Sequence, residues 1–186
     1  MTQIEELVTK LKQSIIVATL PLALIDKSNA GYLMQQMGMD VGSTSHFGKR
    51  DGGYSPNIEI WPAWQKYFND PAYVVEFINN LFAGHTLVIY DMAKQNGLLC
   101  QCDLCAFLVR LRHSLAHNGR WHAPDSAKHK AGTFRNFELG PEYWGEPALR
   151  NEYVGSTDKS MMPGDVLELW DELLLHWQSH FAISGT

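Results

Sequence analysis

The chain has 186 residues, 45% hydrophobic and 19% charged, with a formal charge of −5. That length suits one domain with a substantial core better than two, so a single domain over 1–186 is expected; the acidic balance excludes a general nucleic-acid coat. No uninterrupted apolar run approaches the roughly 18 residues of a membrane span, and Met1-Thr2-Gln3-Ile4-Glu5-Glu6 places acids where an export signal carries bases. The expectation is a cytoplasmic protein with no membrane partner. Cys100, Cys102 and Cys105 are too few and too crowded for a disulfide framework.

Taken in chain order, Thr2-x-x-Glu5 is a capping-box pattern, and Ile4, Leu7, Val8, Leu11 and Ile15 follow at helical spacing. Pro21 is expected to interrupt or kink this helix, with a second helical piece from Leu22 to about Met37. Glycines and prolines leave residues 38–62 irregular, with a short extended piece at Ile58, Ile60 and Trp61. Gly42 and Gly48-Lys49 miss the phosphate-loop spacing by one residue, and Arg50 stands where Ser or Thr should hold magnesium. Asp70-Pro71 opens a long helix that ends at Gly97, its apolar positions running from Val74 to Met92. The next helix is predicted from about Cys100 to Ala116, with Leu104, Phe107, Leu108, Leu111 and Leu115 buried. Residues 119–162 are again irregular, with Thr133–Leu139 expected to pair with Glu152–Gly155. Pro163-Gly164 precedes Asp165, the expected N-cap of the last helix; Val166, Trp170, Leu173, Trp177 and Phe181 form its stripe. The fold class is therefore all-α: an up-and-down bundle of four to six helices with two long loop insertions and room for one small β-hairpin.

Charge is unevenly placed. Arg110, Arg112, Arg120, Lys128, Lys130 and Arg135 face only Asp125 within their span, a local +5 that leaves −10 for the rest. Four of the eight histidines, His113, His117, His122 and His129, lie in the same segment. Such a segment in an acidic chain reads either as a local site for an anion or as a solvated loop that happens to be basic. Within it stands Arg112-His113-Ser114-Leu115-Ala116-His117, followed by the helix stop Asn118-Gly119.

Those residues are sufficient for cleaving RNA without a metal. RNA carries its own nucleophile, the 2′-hydroxyl, so the protein needs a base, an acid and positive charge at phosphorus. Imidazole moves protons near neutral pH, so His117 is a candidate catalytic acid or base. Arg112 can grip two non-bridging oxygens and stabilise the charge of the transition state. Five positions on an ideal helix separate the two by about 140°, so the helix must end or bend at His117. His113 lies one turn before His117 and supports it. Asn118 is a second supporting residue. Arg110, Arg120 and His122 are candidates for substrate binding, and Trp121 for stacking on a base. This reading uses no metal and no cofactor.

The pattern of arginine, a polar residue, three more residues and histidine, at a helix end in an all-α chain, resembles the HEPN superfamily (higher eukaryotes and prokaryotes nucleotide-binding). The architectural likeness covers roughly residues 70–181, and the identity about seven residues. The resemblance implies a homodimer in which two copies of Arg112 and His117 meet in a cleft. It also implies a metal-independent endoribonuclease of a toxin–antitoxin or phage-defence system, with RNA as substrate and an antitoxin protein as partner. Histidine at 113 replaces the asparagine or aspartate often found there. Other members of the superfamily are catalytically silent and bind RNA, a nucleotide or a protein, which is the second function class.

A third class is a histidine-ligated metalloprotein. His113/His117 and His176/His180 are each a His-x-x-x-His pair on one helical face, and on neighbouring helices the four could converge on zinc, nickel or iron. Ser114 stands where a zinc hydrolase of this pattern carries its glutamate. Cys100-x-Cys102-x-x-Cys105, with His122 as a possible fourth ligand, lacks the second ligand pair usual for structural zinc, and buried cysteines are common without a metal.

Overall fold

The structure is a computed structural model that describes residues 3–24, 44–45, 58–59, 62, 65–66, 69–124, 131–149 and 158–181. These residues are mostly helical, with two short antiparallel strand pairs. The long helices are α1 (Gln3–Leu24), α2 (Pro71–Gln95), α3 (Asp103–Ala116) and α4 (Pro163–Phe181). Strands β1 (Thr44–Ser45) and β2 (Ile58–Glu59) pair, as do β3 (Thr133–Phe134) and β4 (Phe137–Glu138). A 3₁₀ turn covers Pro141–Tyr143.

The ends of α2 follow from its sequence. The Asp70 carboxylate accepts from the backbone N–H groups of Ala72 and Tyr73 at 3.1 and 3.3 Å, satisfying donors that the first turn leaves free. Gly97, at φ 66°, turns the chain away after Gln95. The same helix is long and apolar enough to cross a bilayer by length and composition, with a mean hydropathy of 1.2 over an 18-residue window within Ala72–Gln95. Here it packs against α1, α3 and α4.

Several expectations need correction. Helix α1 runs through Pro21 to Leu24, so the proline does not interrupt it: its ring fixes φ near the helical value, although it removes one hydrogen bond and crowds the carbonyl four residues back. Residues 25–37, expected to be helical, lie outside the described residues. Helix α4 begins at Pro163, so Asp165 is inside its first turn rather than the cap. Its Oδ2 accepts from the Met162 N–H at 2.7 Å, the backward half of a capping box. Glu168, three residues after Asp165 and so the partner a capping box on Asp165 would use, instead pairs with Arg135, which also donates from Nε to Glu172 at 2.8 Å. Thr133–Phe134 pairs within its own segment with Phe137–Glu138, and Glu152–Gly155 lies outside the described residues.

One contiguous core joins all four helices and the segment after α3. Ile89, Phe107, Leu108, Leu111, Leu169, Trp170 and Leu173 are fully buried. Val88 and Phe77, placed on the α2 stripe by spacing, are instead 43% and 37% exposed. Polar ties cross the helices: Ser14 Oγ lies 2.6 Å from His85 Nε2, and Lys12 pairs with Asp171. Phe107 of α3 anchors the chain that returns after the helix. Its ring lies 5.6 Å from both Trp121 and Phe134, and 6.1 Å from Phe137. Gly132 passes so close that a Cβ there would sit 2.2 Å from the Phe107 backbone nitrogen.

Candidate functional site

Helix α3 stops through a left-handed turn. His117 leaves the helix at φ −124°, ψ 53°, and Asn118 and Gly119 follow at φ 93° and 70°. The Gly119 N–H donates to the Ser114 carbonyl at 2.8 Å, spanning five residues and closing the helix end. This exit folds the chain back so that His122 returns to the turn it left. The rings of His113, His117 and His122 gather there, with centroids 4.5 Å apart for 113–117, 5.3 Å for 113–122 and 6.4 Å for 117–122. Asn118 Oδ1 lies 3.0 Å from His122 Nε2 and accepts the Arg120 N–H at 3.3 Å. His117 and Asn118 are exposed, while His113 and His122 are half-buried. The helix C-terminus carries partial negative charge, which favours cationic side chains at this place.

The arginines divide. Arg112 is half-buried, with its guanidinium carbon 5.3 Å from the centroid of the Tyr90 ring. Its Nε, like that of Arg110, is buried without a hydrogen-bond partner among the described residues. A buried cationic donor lacking an acceptor is costly, and an anion beside it would relieve that cost. Arg110, expected to bind substrate, is only 7% exposed and belongs to the core side of α3. Trp121 corrects the sequence reading more sharply. It is fully buried against Phe107, and its indole N–H donates to the Lys159 carbonyl at 3.0 Å, so no face is open to a base. Arg120 is exposed and donates to the Gly145 carbonyl at 2.6 Å.

A cleft of about 370 Å³ adjoins the helix end. Glu76, Asn79 and Asn80 of α2 form one wall; Leu115, Asn118 and Arg120 form the other. Sequence reasoning missed the α2 wall, because polar residues at 76, 79 and 80 read simply as a solvated helix face.

A second constellation lies at the other end of α3. Cys102 is the N-cap of the helix, and its sulfur accepts the Cys105 N–H at 3.4 Å. The helix therefore starts at Asp103, and Cys100 precedes it. His176 of α4 points its Nε2 at this group, 3.2 Å from Cys100 Sγ and 3.4 Å from Cys102 Sγ. Cys100 and Cys105 sulfurs are 3.6 Å apart. All four potential ligand atoms lie within 4.8 Å of one another. Thus His176, not His122, completes the cysteine set. The two His-x-x-x-His pairs do not form one four-histidine group: His176 turns to the thiols with His180 beside it, and His113 joins His117 and His122.

Burial pushes the Cys105 thiol up to about 12. Burial, and then the neighbouring Cys100, also raise Cys102. Burial acts upward on Cys100 too, but hydrogen bonds from Cys102, Cys105 and the backbone outweigh it and bring that thiol below its ordinary value. Burial, followed by the charge of His180, lowers His176 and favours the neutral imidazole, the form that ligates metals.

No protein-family model, curated protein or solved structure matches this chain. The functional reading therefore rests on the geometry of its own residues.

Proposed function

We propose that this protein is a metal-independent endoribonuclease of the HEPN-like type, an up-and-down helical bundle acting as a homodimer in toxin–antitoxin or phage defence. The observation that carries the reading is the gathering of His113, His117 and His122 at the end of the helix that bears Arg112. Cleavage of RNA through its 2′-hydroxyl requires two proton transfers on opposite sides of one phosphorus. An imidazole removes the 2′-hydroxyl proton as that oxygen attacks. A second, protonated imidazole supplies a proton to the departing 5′-oxygen. The products are a 2′,3′-cyclic phosphate and a 5′-hydroxyl end. Exposed His117 is the first choice for one role, and His122, held by Asn118, for the other. His113 lies between them in contact with both. Arg112, its Nε lacking an acceptor among the described residues, offers charge to the non-bridging oxygens. The amide-lined cleft suits unstacked bases of single-stranded RNA, which are read through hydrogen bonds on their edges.

The test is a brief incubation with a mixed RNA pool in EDTA, comparing the wild type with His117→Ala and Arg112→Ala. Cleavage is expected to persist in EDTA, to leave cyclic phosphate ends, and to fall about 100-fold or more in each variant. Arg112→Lys should not restore it, because an ammonium lacks the two-pronged grip. Cleavage unchanged in both variants would place the chemistry elsewhere. RNA binding without turnover would make the protein a silent binding module.

A further inference from the structure

The geometry points to a structural zinc site built by Cys100, Cys102, Cys105 and His176, which fastens the start of α3 to the face of α4. Zinc bound by sulfur at about 2.3 Å and nitrogen at about 2.0 Å in a tetrahedron requires sulfurs about 3.8 Å apart and sulfur–nitrogen edges of about 3.5 Å. Of the six edges here, three are 3.6 Å between the Cys100 and Cys105 sulfurs and 3.2 and 3.4 Å from His176 Nε2 to Cys100 and Cys102, and the other three are no longer than 4.8 Å. Four donors therefore already stand close to the corners of one coordination shell.

The local chemistry fits the same ion. Three thiolates and an imidazole form a soft donor set whose tetrahedral arrangement selects zinc over magnesium or calcium. The Cys105 N–H already donates to the Cys102 sulfur at 3.4 Å, a hydrogen bond that orients this sulfur toward the other three donors. Four protein ligands leave no open position for water or substrate, so the site is structural rather than catalytic. The ligands come from distant parts of the chain, with a sequence separation of 76 between Cys100 and His176. Closing that loop with a metal bond restrains the unfolded chain and stabilises the packing of the helix that carries Arg112. The inference stands apart from the ribonuclease reading, since these residues lie at the opposite end of α3 from His117.

The full-length protein, purified with a reductant and without chelator, is assayed for metals by mass spectrometry. About one zinc per chain is expected, with His176→Ala and Cys102→Ser each losing it. Because either variant could fail to fold, His176→Cys provides the control: it preserves a four-ligand set and should retain zinc. Cobalt exchanged into the wild type should give the visible absorption of a tetrahedral ion and thiolate charge transfer. The site is overturned if the reduced protein holds no zinc and gives no such cobalt spectrum. It is equally overturned if His176→Ala keeps the full zinc content, or if thiol titration and peptide mapping find Cys100 bonded to Cys105 as a disulfide. Ribonuclease activity is not the readout, so a protein that binds zinc and cuts nothing would refute only the catalytic proposal.

Discussion

Asn118 sits at φ 93°, a conformation that costs most L-residues roughly 1–2 kcal/mol but which glycine accepts freely, and its Oδ1 also holds His122. These two roles can be separated. Asn118→Gly should keep the turn and leave the urea midpoint near that of the wild type, while releasing His122 and lowering RNA cleavage about tenfold. Asn118→Ala should lose the cleavage and also about 1–2 kcal/mol of stability. Equal stability in the two variants would show that the left-handed turn is not what Asn118 supplies. The turn itself was legible, since Asn-Gly after a helical pattern is a stop signal whose physics is local. Burial of Trp121 and Arg110 was not. A tryptophan beside a basic segment reads the same whether it meets a base or packs against Phe107. Only the return of the chain after Gly119 decides between them, and that return is tertiary.

Among the elements, α2 was readable to within a residue because both ends are marked by residues next to it, the Asp70 side chain at the start and the positive φ of Gly97 at the finish. The cap also gives a direct check: Asp70→Ala should cost about 1 kcal/mol in urea unfolding with little change in cleavage. The hairpin was not legible: Thr133–Leu139, read as one strand, holds both β3 and β4 with the turn between them, since two-residue strands leave no periodicity to pair. What holds β3 and β4 is contact with α3, and Gly132 is where the backbone comes closest. Gly132 combines φ 91° with a Cβ position 2.2 Å from a Phe107 main-chain atom, so no side-chain rotation can make room. Gly132→Ala should therefore destabilise by about 2–4 kcal/mol, combining left-handed strain with forced displacement of the hairpin. Near-native stability in that variant, read from its thermal and urea midpoints, would show that the segment can lift from Phe107 at little cost. The cysteine cluster was visible as three thiols, but its histidine was not. His122 lies nearer in sequence, whereas His176 arrives because α4 packs beside the start of α3.

For the whole molecule, the arrangement sets two anchors at the ends of one short helix: the thiols and His176 at the start of α3, and the histidine group at its finish. With zinc bound at its start as proposed, and its end closed by the Gly119 N–H on the Ser114 carbonyl, this helix of 14 residues would hold Arg112 and His117 in a constant relation to each other. The helical phase leaves these side chains on different faces, so the proposed catalytic site is completed either within one chain or between two. Mixing two inactive variants decides it. If Arg112 of one chain acts with His117 of its partner, a dimer of Arg112→Ala with His117→Ala contains one intact combination and one doubly defective one. Random exchange at equal concentrations makes about half the dimers mixed, so about a quarter of wild-type cleavage should return. If each chain uses its own arginine and histidine, mixing restores nothing, because every chain lacks one of the pair. The measurement is the initial rate of RNA cleavage after the variants are unfolded together and refolded with zinc, against each variant treated alone. Recovery near a quarter, rising when the chains are fused in tandem to enforce mixed dimers, would establish a shared cleft. No recovery from demonstrably mixed dimers would assign the site to the single chain, with His113 and His122 supplying the second proton-transfer group.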